Sequence, residues 1–347
     1  MIAKRPRPTV LHAPVEVSGQ AALAAFGLRE IGVNARCFAR PDRFAYPVSP
    51  DIDPGPTRAG WIAAAVRAAS TSDIVHYYYG ESLLRGQSLL PGRMKAFDAR
   101  ALRWLGRRVI VEFMGTDVRL PSVEAARNPH FVPKGGQSDQ SALARMRTWS
   151  WATGGQAIVN DPALITFVAP QFEHVHFVPV RVDTHRLEAE PPGRDVRRPL
   201  LVHAPSHLAV KGTSHVRSAV DLLRKRGVDF EYKELRGLSN REVTKICAQA
   251  DLVVDQLCLG SYGVFAAEAM SMGKPVVCYL HPDVISLYPT GLPIIRATPD
   301  TLLDVLAEWL QKPTERYALG VESRRYAETV HDVRVVARRL LDVYEDL

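Results

Sequence analysis

The sequence predicts an α/β protein made of two consecutive parallel-sheet domains. Short β-branched runs alternate with helix-forming segments along the whole chain, the pattern of parallel sheets covered on both faces. The alternation is interrupted once, by the polar, Pro-rich stretch Arg181–Arg198 (RVDTHRLEAEPPGRDVRR), which has the composition of a linker. The 347 residues suffice for two domains of ordinary size. The expected division is 1–182 and 183–347, with the last helix, about 331–347, packing back on the first domain.

In order, Thr9–Ala13 (TVLHA) is a strand, Gln20–Ile31 a helix and Val33–Ala39 a strand. Ala-rich Thr57–Ser70 is a helix, Asp73–Tyr79 (DIVHYYY) a strand, Arg93–Leu105 a helix and Arg107–Phe113 a strand. Met114–Gly136 is a long polar loop, a length associated with function. Ser138–Ala152 and Pro162–Ala169 are helices around a strand at Gln156–Asn160, and His174–Val180 is the last strand before the linker. The second series begins with strand Leu200–Pro205, loop Ser206–Gly212 and helix Thr213–Arg226. Strand Phe230–Leu235, helix Asn240–Ala250, strand Asp251–Leu257, helix Val264–Met272 and strand Pro275–Leu280 follow. After the short strand Leu292–Ile295 the chain ends in helices Pro299–Leu310, Pro313–Thr329 and Val333–Tyr344. Two such series make two Rossmann-like domains facing each other across a cleft, with ligands beyond the carboxyl ends of the strands.

Composition narrows the partners. The net charge is +7, but only nine of the 44 basic residues are lysines and there is no basic tail or aromatic-basic motif. Anionic ligands suit that balance and nucleic acid does not. Cys37, Cys247, Cys258 and Cys278 form no Cys-x-x-Cys pair, so neither zinc nor a disulfide framework is expected. No apolar run has membrane-spanning length, and the start MIAKRPRPTVLHAP lacks a secretory signal. A cytoplasmic protein is expected, with contact at the inner face of a membrane allowed by the basic amphipathic helix Arg93–Arg108. Packing of Met94, Phe97, Ala101, Leu102 and Leu105 on the sheet is the simpler account of that helix.

Three loops follow carboxyl ends of strands: Pro14–Gly19, Met114–Arg119 and Ser206–Gly212. Gly19 at a helix start allows close backbone approach to a phosphate, and Lys211 before Gly212-Thr213 supplies a point charge. Gly263 precedes and Gly273 closes the helix of LGSYGVFAAEAMSMGKPVV (Leu259–Val277). Its N-terminus offers N–H groups and a positive dipole end to an anion. Glu268, one turn further in, can accept hydrogen bonds from sugar or ribose hydroxyls. An ordinary strand–helix unit has the same spacing, so no single piece identifies a site.

Together these pieces resemble retaining glycosyltransferases of the GT-B fold, family 4 type. The resemblance is carried by Gly19, GTDVR (Gly115–Arg119), VPVRVDT (Val178–Thr184), KGT (Lys211–Thr213) and YGVFAAEAMSMGKPVV (Tyr262–Val277). It implies a nucleotide-sugar co-substrate with no required cofactor or metal, and transfer to a glycan, lipid-linked or small natural-product acceptor. Lys211 and the Gly19 backbone would hold the donor diphosphate and Glu268 the ribose, while Leu238 would contact the base. Ser261, Tyr262, Gly263 and Val264 would face phosphate and sugar. Met114, Gly115, Asp117, Arg119 and His207 would lie on the acceptor or sugar side, and Lys211, Glu268 and Asp117 are the catalytic candidates.

The chain departs from this pattern at three places. Gly260 stands where the first glutamate of Glu-x7-Glu belongs, Ser206 where an arginine precedes the lysine, and Met114 where a histidine is usual. Polar contact to the donor sugar is reduced, with His203, His207, Asp117 and Arg119 as candidates to compensate. A non-catalytic relative that binds nucleotide or glycan, or supports a partner enzyme, is the alternative. Asp51-Ile52-Asp53 is read as turn chemistry rather than a metal site. Trp149 and Trp151 are core residues or acceptor-pocket walls.

Overall fold

A computed structural model describes residues 7–84 and 95–347. The described chain falls into two compact units. One comprises the chain up to Leu120 with Gln137–Pro179 and Val333–Leu347, the other Pro121–Gly136 with Val180–Asp332.

In the first unit the chain runs β1 (Val10–Ala13), α1 (Gln20–Glu30), β2 (Ala35–Cys37), α2 (Arg58–Ser70), β3 (Ile74–Tyr78), α3 (Phe97–Trp104) and β4 (Arg108–Phe113). Helix α4 (Pro121–Arg127) follows and belongs to the second unit. Then come α5 (Asp139–Thr153), β5 (Gln156–Val159), the short α6 (Ile165–Val168) and β6 (His174–Phe177). The six strands form one parallel sheet in the order β2-β1-β3-β4-β5-β6. Caps set the helix ends: Thr57 accepts from Gly60 N at 3.1 Å to start α2, and Ser138 from Ser141 N at 3.2 Å to start α5. Left-handed Gly154 closes α5, a conformation that costs glycine least.

The second unit contains β7 (Leu200–His203), α7 (Leu208–Lys211), α8 (Thr213–Lys225), β8 (Glu231–Glu234), α9 (Asn240–Cys247), β9 (Leu252–Val254) and α10 (Val264–Ser271). It continues with β10 (Val276–Cys278), α11 (Pro282–Ile285), β11 (Ile294–Arg296), α12 (Leu302–Trp309) and α13 (Pro313–Tyr326). Its five strands are parallel, ordered β11-β10-β9-β7-β8. The last helix, α14 (Val333–Glu345), returns to the first unit. There its buried stripe Val336, Ala337, Leu340, Val343 and Tyr344 joins the core with Ala21, Ala25 and Leu28 of α1.

Several expectations change. The Met114–Gly136 segment is not one loop: Pro121 opens α4, and everything from there to Gly136 groups with the second unit. A single boundary after residue 182 therefore misses an excursion of the chain, and the main crossing lies at Pro179–Val180. Ser206–Gly212 contains α7, and Pro162–Ala169 breaks into 3-10 and α turns around Pro162 and Pro170. The segment read as a linker is tied down by two backbone carbonyls and one side chain. Arg324 Nη1 donates to Leu187 O at 2.6 Å, Arg316 Nη2 to Val196 O at 2.9 Å, and Thr184 Oγ1 to Asp332 at 2.5 Å. Its polarity reflects exposed side chains over a backbone satisfied by arginines.

Helix α3 also differs. Its buried residues are Asp98 and Ala99, while Phe97, Trp104 and the following Leu105 are exposed. Asp98 is drawn inward because its carboxylate accepts from Leu83 N at 2.8 Å and Tyr77 Oη at 3.2 Å. Met94, placed on the same face from sequence, lies outside the described residues. Among the described residues no helix is long and apolar enough to cross a membrane. Trp149 is buried and donates to Gly80 O at 2.7 Å, with Trp151 packed beside the same core. Asp53 accepts from Gly55 N at 2.9 Å, which is local turn chemistry, whereas Asp51 reaches beyond its turn to Cys37 N at 2.7 Å and Arg29 at 2.9 Å.

Gly27 marks the closest approach of α1 to α14: a Cβ there would run into the Val333 carbonyl oxygen. Gly27→Ala is expected to lower stability by about 1–3 kcal/mol through overpacking, despite alanine's better helix propensity. Urea unfolding followed through the first unit's tryptophans tests this, and an unchanged or raised midpoint would refute it.

Candidate functional site

In the second unit the chain turns one way from β7 to β8 and the other way to β9, β10 and β11. The loops leaving the carboxyl ends of β7 and β9 therefore diverge, which is where open parallel sheets bind ligands. Lys211 comes from the first loop and Asp255–Gly263 from the second. Left-handed Gly212 lets the chain pass from α7 into α8 against Leu257, where a Cβ would sit 2.9 Å from the Leu257 Cβ.

A compact polar cluster forms there. The Lys211 ammonium donates to Asp255 Oδ1, and to Gln256 Oε1 at 3.0 Å. Asp255 Oδ2 accepts from Gly263 N at 3.0 Å. Gln256 Nε2 donates to the Ser261 carbonyl, and Gln256 O accepts from Tyr279 N at 3.0 Å. The Asp255 side chain is fully enclosed and that of Lys211 is 11% exposed. The cluster thus joins a cation to the loop preceding α10, whose first-turn N–H groups have no intrahelical acceptor. Glu268, on the second turn of α10, is buried and accepts from Asn240 Nδ2 at 2.9 Å. Asn240 is fixed at the start of α9 by the Ser239–Glu242 capping box, so two helix starts position the glutamate.

The other residues expected in this unit are also placed. Ser261 and Tyr262 are buried, and Tyr262 Oη bonds His331 Nε2 at 3.1 Å while its ring lies 4.9 Å from that of Tyr288. Tyr262 is therefore a packing residue through its side chain. The Gly263 N–H, expected to face a phosphate, is bonded to Asp255. Val264 starts α10, and Leu238 lies half-buried in the loop between β8 and α9. His207 is exposed and caps α7, its Nδ1 accepting from Val210 N at 3.4 Å. His203 is enclosed between Val254 O at 2.9 Å and Thr213 Oγ1 at 3.0 Å, and burial lowers its pKa. It therefore braces the sheet against α8, with both ring nitrogens engaged there. At Gly260 the φ is +72°, and a Cβ would lie 3.0 Å from His281 Cβ, so a glutamate cannot be accommodated without a shift in that turn.

The remaining residues belong to the first unit. Gly19 is left-handed at the N-cap of α1, and a Cβ there would meet the Tyr46 ring at 2.7 Å. The Glu16 carboxylate caps that helix, accepting from Ala21 N at 3.2 Å and Ala22 N at 2.8 Å. Burial raises the Glu16 pKa to about 7, with neighbouring Asp42 adding to the rise. Asp117 is likewise turned into its own loop, accepting from Gly115 N at 2.7 Å and Met114 N at 3.1 Å, and burial raises its pKa to about 6. Arg119 is buried, 3.7 Å from Asp161 and over the Phe167 ring. The side chains of Asp117 and Arg119 thus organise the loop, while Met114 and Gly115 present its half-buried backbone.

Asp255, Gln256, Asn240 and Glu16 were not singled out from sequence. The signal for the first two was a polar pair directly after the buried strand LVV (Leu252–Val254). Asn240 acts through a tertiary contact to Glu268, whereas Glu16 acts locally, on the amides five and six residues ahead.

No protein-family model matches the chain. The MMP alpha-(1->4)-mannosyltransferase of Mycolicibacterium hassiacum is 30% identical over 212 residues, covering 52% of this chain and 51% of that protein. The match thus spans about half the length of that relative. Among solved structures, sucrose-phosphate synthase from Thermosynechococcus elongatus superposes with a TM-score of 0.62 at 13% identity, covering 98% of this chain and 99% of that one. Anabaena Alr3699/HepE in complex with UDP-glucose gives 0.62 at 12%, covering 98% and 100%. AviGT4, a glycosyltransferase involved in avilamycin A biosynthesis, gives 0.54 at 16%, covering 99% and 98%. The two parallel-sheet units are those of the GT-B fold.

The raised carboxyl pKa values have a definite sign. A carboxyl that titrates higher in the folded chain than in the unfolded one stabilises the fold in its protonated form. The Glu16 contribution is fully present below its ordinary value of 4.5 and is lost as pH rises through about 7; for Asp117 the window runs from 3.8 to about 6. Glu16→Gln is therefore expected to flatten the fall in stability between these limits, read from urea midpoints across the pH series. The same slope in wild type and variant would contradict it.

Proposed function

We propose that the protein is a glycosyltransferase that moves a sugar from a nucleoside diphosphate to an acceptor hydroxyl with retention of configuration. The carrying observation is the cluster at the diverging loops of the second unit, where Lys211 meets the N-terminal side of α10 and Glu268 stands one turn further in. The GT-B fold and the mannosyltransferase relative support the reading. In it, Lys211 and the first-turn amides of α10 bind the diphosphate, and Glu268 accepts from ribose hydroxyls.

As the bond between the sugar and the phosphate oxygen breaks, both electrons leave with the diphosphate. Lys211 and the helix N-terminus stabilise that charge. The acceptor oxygen forms the new bond on the face the phosphate is leaving, and its proton passes to a phosphate oxygen. This route uses no protein nucleophile.

Turnover of a panel of nucleoside-diphosphate sugars, including glucose and mannose donors, tests the reading. Lys211→Ala is expected to lower kcat/KM by about 100-fold or more, the scale of removing one transition-state donor. Glu268→Gln is expected to raise the donor KM about tenfold. Rates equal to wild type in both variants would discard the site assignment.

One observation favours a second reading, a relative that binds nucleotide or glycan without transfer: Gly260, at positive φ and close to His281, stands where the usual glutamate is expected. Donor binding with neither transfer nor donor hydrolysis across the panel would select it. The exposed Phe97, Trp104 and Leu105, with Arg100 stacked 5.4 Å from the Trp104 ring, also suit contact with an anionic membrane surface. Co-sedimentation with anionic vesicles that Trp104→Ala leaves unchanged would remove that contact from the proposal.

A further inference from the structure

We infer that Asp255, assisted by Gln256, is the positioning residue for Lys211, holding the ammonium and the Gly263 amide together at the N-terminal side of α10. The inference rests on the reading of this site as one for a nucleoside diphosphate.

The hydrogen-bond count singles out a carboxylate. Two donors, Lys211 Nζ and Gly263 N, converge on the two separate oxygens of Asp255. An asparagine has one acceptor oxygen and an N–H₂ group, so one of the two donors would lose its partner. Gln256 Oε1 takes a second ammonium proton at 3.0 Å, and its Nε2 fixes the Ser261 carbonyl. Among the described residues, two of the three ammonium donors are thus engaged, and the third is left to reach a ligand oxygen.

The electrostatics agree. An ammonium and a helix N-terminus are both positive, so bringing them together without an anion is unfavourable. Asp255 supplies that anion from a fully enclosed position at the end of β9. The lysine stem, flexible elsewhere, is ordered before any ligand arrives, so binding need not order it again. A carboxylate near the phosphate also costs some attraction, but it cannot move toward the ligand because both its oxygens are held and its side chain is enclosed. A side chain at position 260 would be strained by the positive φ and would need His281 to shift. The carboxylate therefore enters the loop five residues earlier, and it faces the lysine.

Two measurements on the full chain test this. The first needs no nucleotide: acetylation of Lys211 by acetic anhydride, followed by mass spectrometry, with exposed Lys225 as internal reference. Asp255→Asn should speed Lys211 labelling roughly tenfold, the scale of one charge-assisted bond, while Lys225 is unchanged. The second is calorimetry with UDP, GDP and ADP against their nucleosides. Asp255→Asn should weaken the diphosphate that binds roughly tenfold and leave its nucleoside unchanged, whereas general damage would weaken both.

Tighter diphosphate binding in Asp255→Asn would overturn the inference, because Asp255 would then be an occupant that the ligand displaces. Unchanged labelling would overturn it too. Loss of diphosphate affinity in Lys211→Ala but not in Asp255→Asn would defeat the inference and keep the functional reading. Labelling that depends on Asp255 in a protein that binds no nucleotide would do the reverse, keeping the lysine's tether and defeating the functional reading. If Asp255→Asn does not fold, Gln256→Met removes the second acceptor alone. It should show the same two changes at smaller amplitude, and their absence would count against the inference.

Discussion

Two donors and one carboxylate set the geometry of the second unit's site. The Lys211 ammonium and the Gly263 amide come from loops that the sheet sends in different directions, and Asp255 is the group both bind. Its position at the end of a buried strand makes the arrangement rigid: β9 is hydrogen-bonded on both sides, to β7 and β10. The loop from Asp255 to Gly263 is then fixed at its start by the sheet, in the middle by Gln256 on Ser261, and at its end by Asp255 itself. Removing the carboxylate would leave a cation and an amide facing each other in a nearly closed space, the costly half of a broken buried pair.

That constraint explains why glycine is tolerated where a glutamate is expected. The turn at Gly260 has positive φ and lies against His281, whose backbone N donates to Gly260 O at 2.8 Å. His281 Nε2 in turn lies 3.0 Å from Arg127 O on α4. The excursion of Pro121–Gly136 into the second unit is thus packed against the same turn, with Asn128 Nδ2 donating to Cys258 O at 3.1 Å. His281, which crowds a Cβ at 260, is thus also a residue that anchors α4.

How much of this was legible follows from which forces act locally. The strands were readable because buried parallel strands are continuous apolar runs, such as LLVH and LVV. The positions of Lys211, Gly263 and Glu268 relative to helix starts were readable because that spacing is a property of the chain itself, but the bond from the Gly263 amide to Asp255 was not. Helix α3 was misread because its inward face is set by Asp98, a charged residue that a periodicity argument places outside, bonded to Leu83 and Tyr77. The α4 excursion was missed because its anchors, Cys258 and His281, are more than a hundred residues away in sequence. Asp255 shows the same limit: an acidic residue after a strand is common, and only the fold brings Lys211 to it across 44 residues.

The two units treat the same structural opportunity differently. Each has a helix whose N-terminal side is met by a carboxylate of its own chain, Glu16 at α1 and Asp255 before α10. Glu16 binds two helix amides directly, and burial lifts its pKa to about 7, so near neutrality much of its population is an uncharged acid. That helix start is satisfied internally, with only a partial charge placed on it. Asp255 binds the glycine that precedes its helix and, unlike Glu16, carries a lysine on its other oxygen. The first arrangement caps a helix. The second caps a loop, orders a cation beside the helix start, and keeps the amides of α10 itself out of the carboxylate's bonds. Of the two helix starts, the one before α10 therefore combines a cation held by a carboxylate with a dipole end.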